Sequence, residues 1–161
     1  MQKYKKPTFT EEDLGVNPFA QSLKIPVNEI EFKNVYKKEE DMLLPLVKEV
    51  EKTPITKLYT TSEHRKFTNN LSLRSKELLL WIMYEVKYGE DFLWVNKKRY
   101  MEECNISSLN TYKEAIKELI RYGYVGLTVI QDVYWINPLF FFKGDRIAKY
   151  PNNVVKTSLG Y

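Results

Sequence analysis

From residue 71 onward the chain alternates apolar and polar residues in a regular way. In NLSLRSKELLLWIMYEVKYGED, Leu78, Leu79, Ile82, Met83 and Val86 recur at the spacing of one helical face and form a broad apolar stripe. Ser72 or Ser75 can cap the start of this helix, and Gly89 can end it in a left-handed turn. DFLWVN predicts a short strand. Asn96 can cap a short helix over KKRYMEEC, Asn105 and Ile106 form a turn, and Ser107 or Ser108 caps a longer helix, LNTYKEAIKELIRYG, closed by Gly123. YVGLTVIQDVYWINP predicts a hairpin turning near Gln131-Asp132.

The first seventy residues lack this rhythm. MQKYKKPTFTEEDLG is polar and predicts a mobile lead-in. FAQSLKIPV and EIEFKNVYKK alternate in part and predict two short strands, with Pro26 confining the first to an edge or an end. EEDMLLPLVKEVEK has the charges of a helix but carries Pro45 in its middle. KLYTT predicts another strand and SEHRKFTNN a polar connector. The element order from residue 71 is that of a winged helix-turn-helix, and the Asn105–Ser108 connection has the length such a motif needs. The fold class expected is therefore α+β. A small strand-rich N-terminal segment (residues 1–56) precedes a winged helix-turn-helix domain (57–150), and a C-terminal tail (151–161) follows.

Composition narrows the chemistry. An aromatic fraction of 14% supports a real core, and a net charge of +4 permits nucleic-acid binding without demanding it. One cysteine, Cys104, fits a reducing compartment. MQKYKK is followed by no apolar stretch and no window is long enough to span a bilayer, so a cytoplasmic protein without membrane contact is expected. With one histidine, His64, and one cysteine, a zinc site of about four Cys/His ligands cannot be assembled. No phosphate-binding glycine loop is present either. A Cys–His nucleophile is arithmetically open, but the ordinary roles are a small core residue at a helix end for Cys104 and a polar connector for His64. No enzyme activity, metal or cofactor is expected.

On the LNTYKEAIKELIRYG helix, Tyr112, Ala115, Ile116, Leu119 and Ile120 share the core face. Asn110, Glu114, Lys117 and Arg121 lie opposite, flanked by Thr111 and Lys113. In a helix-turn-helix the start of this helix enters the major groove. Asn can bond an adenine edge, Lys reaches guanine or phosphate, and Ser and Thr hydroxyls bind phosphate. The candidate contacts to DNA are Ser107, Ser108, Asn110, Thr111, Lys113, Lys117 and Arg121. Lys97 and Lys98, with Arg99, are placed to grip the backbone from the preceding helix. An ordinary solvated face is the alternative, favoured by Glu114 and Glu118, which phosphates repel. The hairpin has no Lys or Arg between Val125 and Asn137, so a weak minor-groove contact is expected there.

YWINPLFFFKGDRIAKY crowds Trp135 and Phe140, Phe141 and Phe142 ahead of Lys143, Gly144, Asp145 and Arg146. Asn137 can cap a short helix beginning at Pro138, which then presents the three phenylalanines in different directions. At least one should pack against Trp81 and Met83, making the run a lid, and a surplus Phe could serve a dimer interface. Arg146, Lys149 and Lys156 leave a basic tail able to touch phosphate.

Together, SLRSKELLLWIMYEV, CNISSLNTYKEAIKELIRYGYV and YWINPLFFFKGDR resemble the RepL-type family of plasmid replication proteins, with relatives in phages. The similarity covers about residues 57 to 150, and INPLFFFKGDR is its most specific part. The resemblance implies an origin-binding initiator with double-stranded DNA, host replication proteins and a second copy of the chain as partners. It does not imply nicking, because a paired-histidine metal site cannot be built from His64 alone. A winged-helix transcription regulator and a winged-helix interaction or structural protein of a phage are the rival expectations.

Overall fold

Strand β5, Val133–Ile136, organises the molecule because all four of its residues are buried. Side chains alternate across a strand, so both of its faces must be covered. In the computed structural model, which describes residues 5–28, 55–60, 65 and 68–157, they are. Tyr134 and Ile136 face the helices, while Val133 and Trp135 face the N-terminal residues.

The described elements run in the order α1 (Glu11–Leu14), β1 (Ile25–Asn28), β2 (Lys57–Leu58), α2 (Leu73–Glu85), β3 (Phe92–Trp94), α3 (Lys97–Glu103), α4 (Leu109–Arg121), β4 (Val125–Leu127), β5, β6 (Phe141–Phe142), α5 (Arg146–Lys149) and β7 (Val154–Thr157). The fold is mixed α+β. A three-stranded antiparallel sheet has the order β3-β5-β4, with Phe92 opposite Trp135 and Leu127 opposite Tyr134. β2 pairs antiparallel with β6, and β1 pairs parallel with β7.

Helix α2 begins at Ser72, whose side chain accepts from the Ser75 backbone N–H. Its core face is Leu78, Leu79, Trp81 and Ile82, with Val86 buried just beyond and Met83 partly so. Gly89 does not cap it. The helix stops at Glu85, and Val86 is already extended. Gly89, at φ 76°, makes the later turn into β3 and donates its N–H to the Lys143 carbonyl. Asn96 caps α3 as expected, accepting from the Arg99 N–H. Asn105 turns the chain in the left-handed region (φ 52°), which Asn tolerates well, and buried Ile106 anchors the connection to α4. Ser108 occupies the N-cap of α4 but its side chain makes no capping bond. Cys104 is half-buried at the end of α3, and burial pushes its thiol up.

The aromatic run departs from expectation. Asn137 accepts from the Leu139 N–H, but residues 138–140 form a turn and not a helix. Phe141 and Phe142 then pair with Leu58 and Lys57, and the Tyr59 N–H donates to the Phe140 carbonyl. The strand KLYTT therefore supplies the backbone partners that a short helix would have had to find internally. All three phenylalanines are buried, Phe140 against Tyr124 and Phe142 against Tyr150, so none is left over for a dimer interface. Each such burial contributes about 1.5–3 kcal/mol, more than a typical hydrogen bond's net ~1 kcal/mol, so burial decides the conformation here.

The first and last described segments are built in. Residues 5–15 carry α1, and Phe9, Leu14 and Phe19 pack on the sheet face made by Phe92, Trp94, Val133 and Trp135. The polar lead-in is therefore a packed strap over that part. Of FAQSLKIPV only its last three residues are strand, within β1 (Ile25–Asn28), because Pro18–Gln21 forms a 3-10 turn capped by Asn17. The segment after residue 150 supplies β7, the partner of β1. Contacts thus cross the boundaries expected at residues 56 and 150. The readings made for EIEFKNVYKK, for EEDMLLPLVKEVEK with Pro45, and for His64 lie outside the described residues. No described helix is long and apolar enough to cross a membrane.

Candidate nucleic-acid interface

Helix α4 is held from two sides. Inside, Tyr112, Ala115, Ile116 and Leu119 are buried and Ile120 partly so. Tyr112 Oη lies 3.5 Å from Tyr134 Oη on β5, and burial pushes both phenols up. On its flank, Glu118 accepts from the Ser72 N–H at 2.6 Å and from the Ser75 hydroxyl at 3.0 Å. Desolvation pushes the Glu118 carboxyl up, but these bonds outweigh it and hold it below its ordinary value. Glu118 is thus a clamp between α4 and α2, not part of a solvated face that would repel phosphate. Only Glu114 retains that effect, and it lies 3.3 Å from Lys117 Nζ.

The outward face holds most of the expected residues. Ser107, Ser108, Asn110 and Lys113 are exposed and Thr111 is partly buried. Among the described residues no side-chain hydrogen bond or ion pair engages Asn110, Thr111 or Lys113. Lys117 is exposed beside Glu114, and Arg121 stands over the Tyr122 ring at the far end of the helix. Asn110, Thr111 and Lys113 cluster on the first turn and a half, Lys117 follows one turn on, and Arg121 is two turns away from Lys113.

The basic residues of α3 divide. Lys98 is half-exposed in a loose 3.9 Å pair with Glu102. Lys97 is committed elsewhere: its side chain is 14% exposed and its ammonium lies 3.0 Å from Asp132 in the turn between β4 and β5. Arg99 is also engaged, bidentate to Glu85 and bonded to Glu103, which in turn accepts from Trp81 Nε1. The basic tail does not form as expected. Arg146 stacks on the Tyr59 ring at 3.5 Å and donates to the Pro138 carbonyl, and Lys149 bonds Glu11. The Lys156 side chain lies outside the described residues.

Sequence reasoning missed one polar site altogether. Asp91 is buried at the start of β3, accepts from Tyr150 Oη at 2.5 Å and Asn17 Nδ2 at 3.1 Å, and has Lys149 Nζ 3.8 Å from its other oxygen. Asn17 also donates to the Ile136 carbonyl. The partners are 74 and 59 residues away in sequence, so no local pattern signals the cluster. It joins the strap, the sheet and the C-terminal residues. Among the described residues no group of three His, Cys, Asp or Glu side chains could hold a metal ion. Compared with protein-family models, curated proteins and solved structures, the chain matches none.

Proposed function

We propose that this chain is a sequence-specific double-stranded-DNA-binding protein whose residues 73–136 act as a winged helix-turn-helix. The observation that carries this reading is the face of α4 bearing Asn110, Thr111 and Lys113: solvent-facing, unengaged and mounted on a helix fixed by its core and by Glu118. The order α2, β3, α3, α4, β4, β5 and the sheet order β3-β5-β4 support it, as does the five-residue link from α3 to α4. In the major groove Asn110 would read an adenine edge, Lys113 a guanine or a phosphate, and Lys98 would grip the backbone. Lys97 leaves the list, since its charge is already neutralised. The motif INPLFFFKGDR supports the narrower role of a RepL-type replication initiator, cytoplasmic and recruiting host replication proteins.

Fluorescence anisotropy with labelled duplex from around the chain's own gene, and with random duplex, tests this at low and moderate salt. Preference for the first, with affinity falling steeply as salt rises, is expected. Absence of binding to either duplex at low salt would overturn the proposal. A protein-interaction role is the second reading. It is favoured by the solvent-facing Leu73, Leu80 and Tyr84 at helical spacing along α2, and it predicts that null result.

A further inference from the structure

The turn between β4 and β5 is unlike a phosphate-gripping loop. From Val125 to Asn137 its single charged side chain is Asp132, and Lys97 neutralises it at 3.0 Å. Leu127 is 68% and Val129 80% exposed. A single exposed valine is ordinary on a protein surface. Here the placement and stiffness of the turn carry the inference.

The turn is pinned at several points. Thr128 Oγ1 accepts from the Ile130 N–H at 3.1 Å and donates to the Val133 carbonyl at 2.8 Å. The Val95 N–H donates to the Asp132 carbonyl at 2.8 Å, and Asp132 sits at φ 62°. Val129 is therefore held outward on a fixed backbone and loses little conformational freedom on contact. Leu127 lies opposite Tyr134, whose hydroxyl meets Tyr112 in the first turn of α4. Asp132 meets Lys97, the first residue of α3. Through Asp132 the turn thus touches the start of α3, next to Lys98, and through Tyr134 the sheet behind it touches the first turn of α4, which carries Asn110 and Thr111 and leads to Lys113. A duplex drawn there by those cations meets an uncharged apolar tip.

Resting on the DNA-reading role of α4, we propose that Val129, backed by Leu127, is an apolar wedge. With α4 in the major groove, Val129 presses into the adjoining minor groove, unstacks one base step and bends the duplex, as apolar side chains do in minor-groove binders. Pyrimidine–purine steps, which kink most easily, are the chemistry it favours.

The test uses the full chain and Val129→Ser, a change at an exposed position that leaves packing intact. The probe is duplex from around the chain's own gene, with a fluorophore at each end and 2-aminopurine substituted at successive steps. On wild-type binding the ends should approach and one 2-aminopurine should brighten. Val129→Ser should still bind, about tenfold more weakly, with the duplex straight and the base dark. Wild-type binding to a straight, dark duplex, or equal bending by Val129→Ser, would overturn the wedge and leave the DNA-binding role standing. Wild-type protein that binds no duplex at low salt would overturn both. Loss of self-association in Val129→Ser by sedimentation, with bending unchanged, would overturn the wedge in favour of a contact between copies of the chain.

Discussion

Glu118 shows how a single side chain can look like one thing in sequence and be another in space. In sequence it is a carboxylate four residues after Glu114, on a helix that would face a polyanion. In space it bonds Ser72 and Ser75 and fixes the angle between α4 and α2. Glu118→Ala should destabilise the fold by about 1–3 kcal/mol, because the Ser72 N–H and the buried Ser75 hydroxyl lose their charged acceptor and Ser75 is left only the longer 3.4 Å contact to the Ala115 carbonyl. The pH dependence follows from its lowered pKa. Its contribution is fully present above the ordinary value of about 4.5 and is lost as pH falls through the lower folded value. Comparing acid unfolding of wild type and Glu118→Ala checks this, since the variant's stability should fall less between neutral pH and that range. Asp91 belongs at the same scale. Asp91→Ala strands Tyr150 Oη and takes one of the two acceptors of Asn17 Nδ2, which keeps the Ile136 carbonyl, and should cost about 1–3 kcal/mol, read as a lower denaturation midpoint. An unchanged midpoint would remove Asp91 from its place as the joint between the strap and the C-terminal residues.

Elements defined by local periodicity were legible, and those defined by distant partners were not. α2, α3, α4 and the β4–β5 hairpin appear where the apolar spacing puts them, because that signal lies within a few residues; of the expected caps, Ser72 and Asn96 act as such, while Gly89 does not end α2 and the Ser108 side chain makes no capping bond. The Phe141-Phe142 strand needs β2, more than eighty residues away, and the Asp91 cluster needs Asn17 and Tyr150. Neither leaves a local trace. β5 carried a readable hint: VYWI is apolar at every position, which calls for cover on both faces. The strap provides that cover, and Gly126 is where it can be tested. A Cβ built on Gly126 would sit 3.1 Å from Phe19 Cε2. Gly126→Val should therefore lift Phe19 from the sheet, red-shift tryptophan emission through Trp94 and Trp135, and speed proteolysis before residue 25. A variant indistinguishable from wild type in all three would mean that Phe19 does not rest on β4.

At the scale of the molecule, the parts divide between scaffold and exposed ends. The basic residues that help to hold the fold — Lys97, Arg99, Arg146 and Lys149 — are paired or stacked. Those left facing solvent are Lys98 near the start of α3 and Lys113 near the start of α4, with Asn110 and Thr111 on the same first turns of α4. The candidate site was partly legible for this reason: helical spacing gave the outward face of α4, whereas which cations are already neutralised depends on tertiary contacts such as Lys97–Asp132. The central claim is that this face reads DNA. The most direct measurement is the affinity of Asn110→Ala/Lys113→Ala for duplex from around the chain's own gene, alongside its thermal midpoint. The account predicts an unchanged midpoint and a loss of roughly 1–3 kcal/mol in binding for each base contact removed, with preference over random duplex reduced. A variant that binds and discriminates as well as wild type would contradict it.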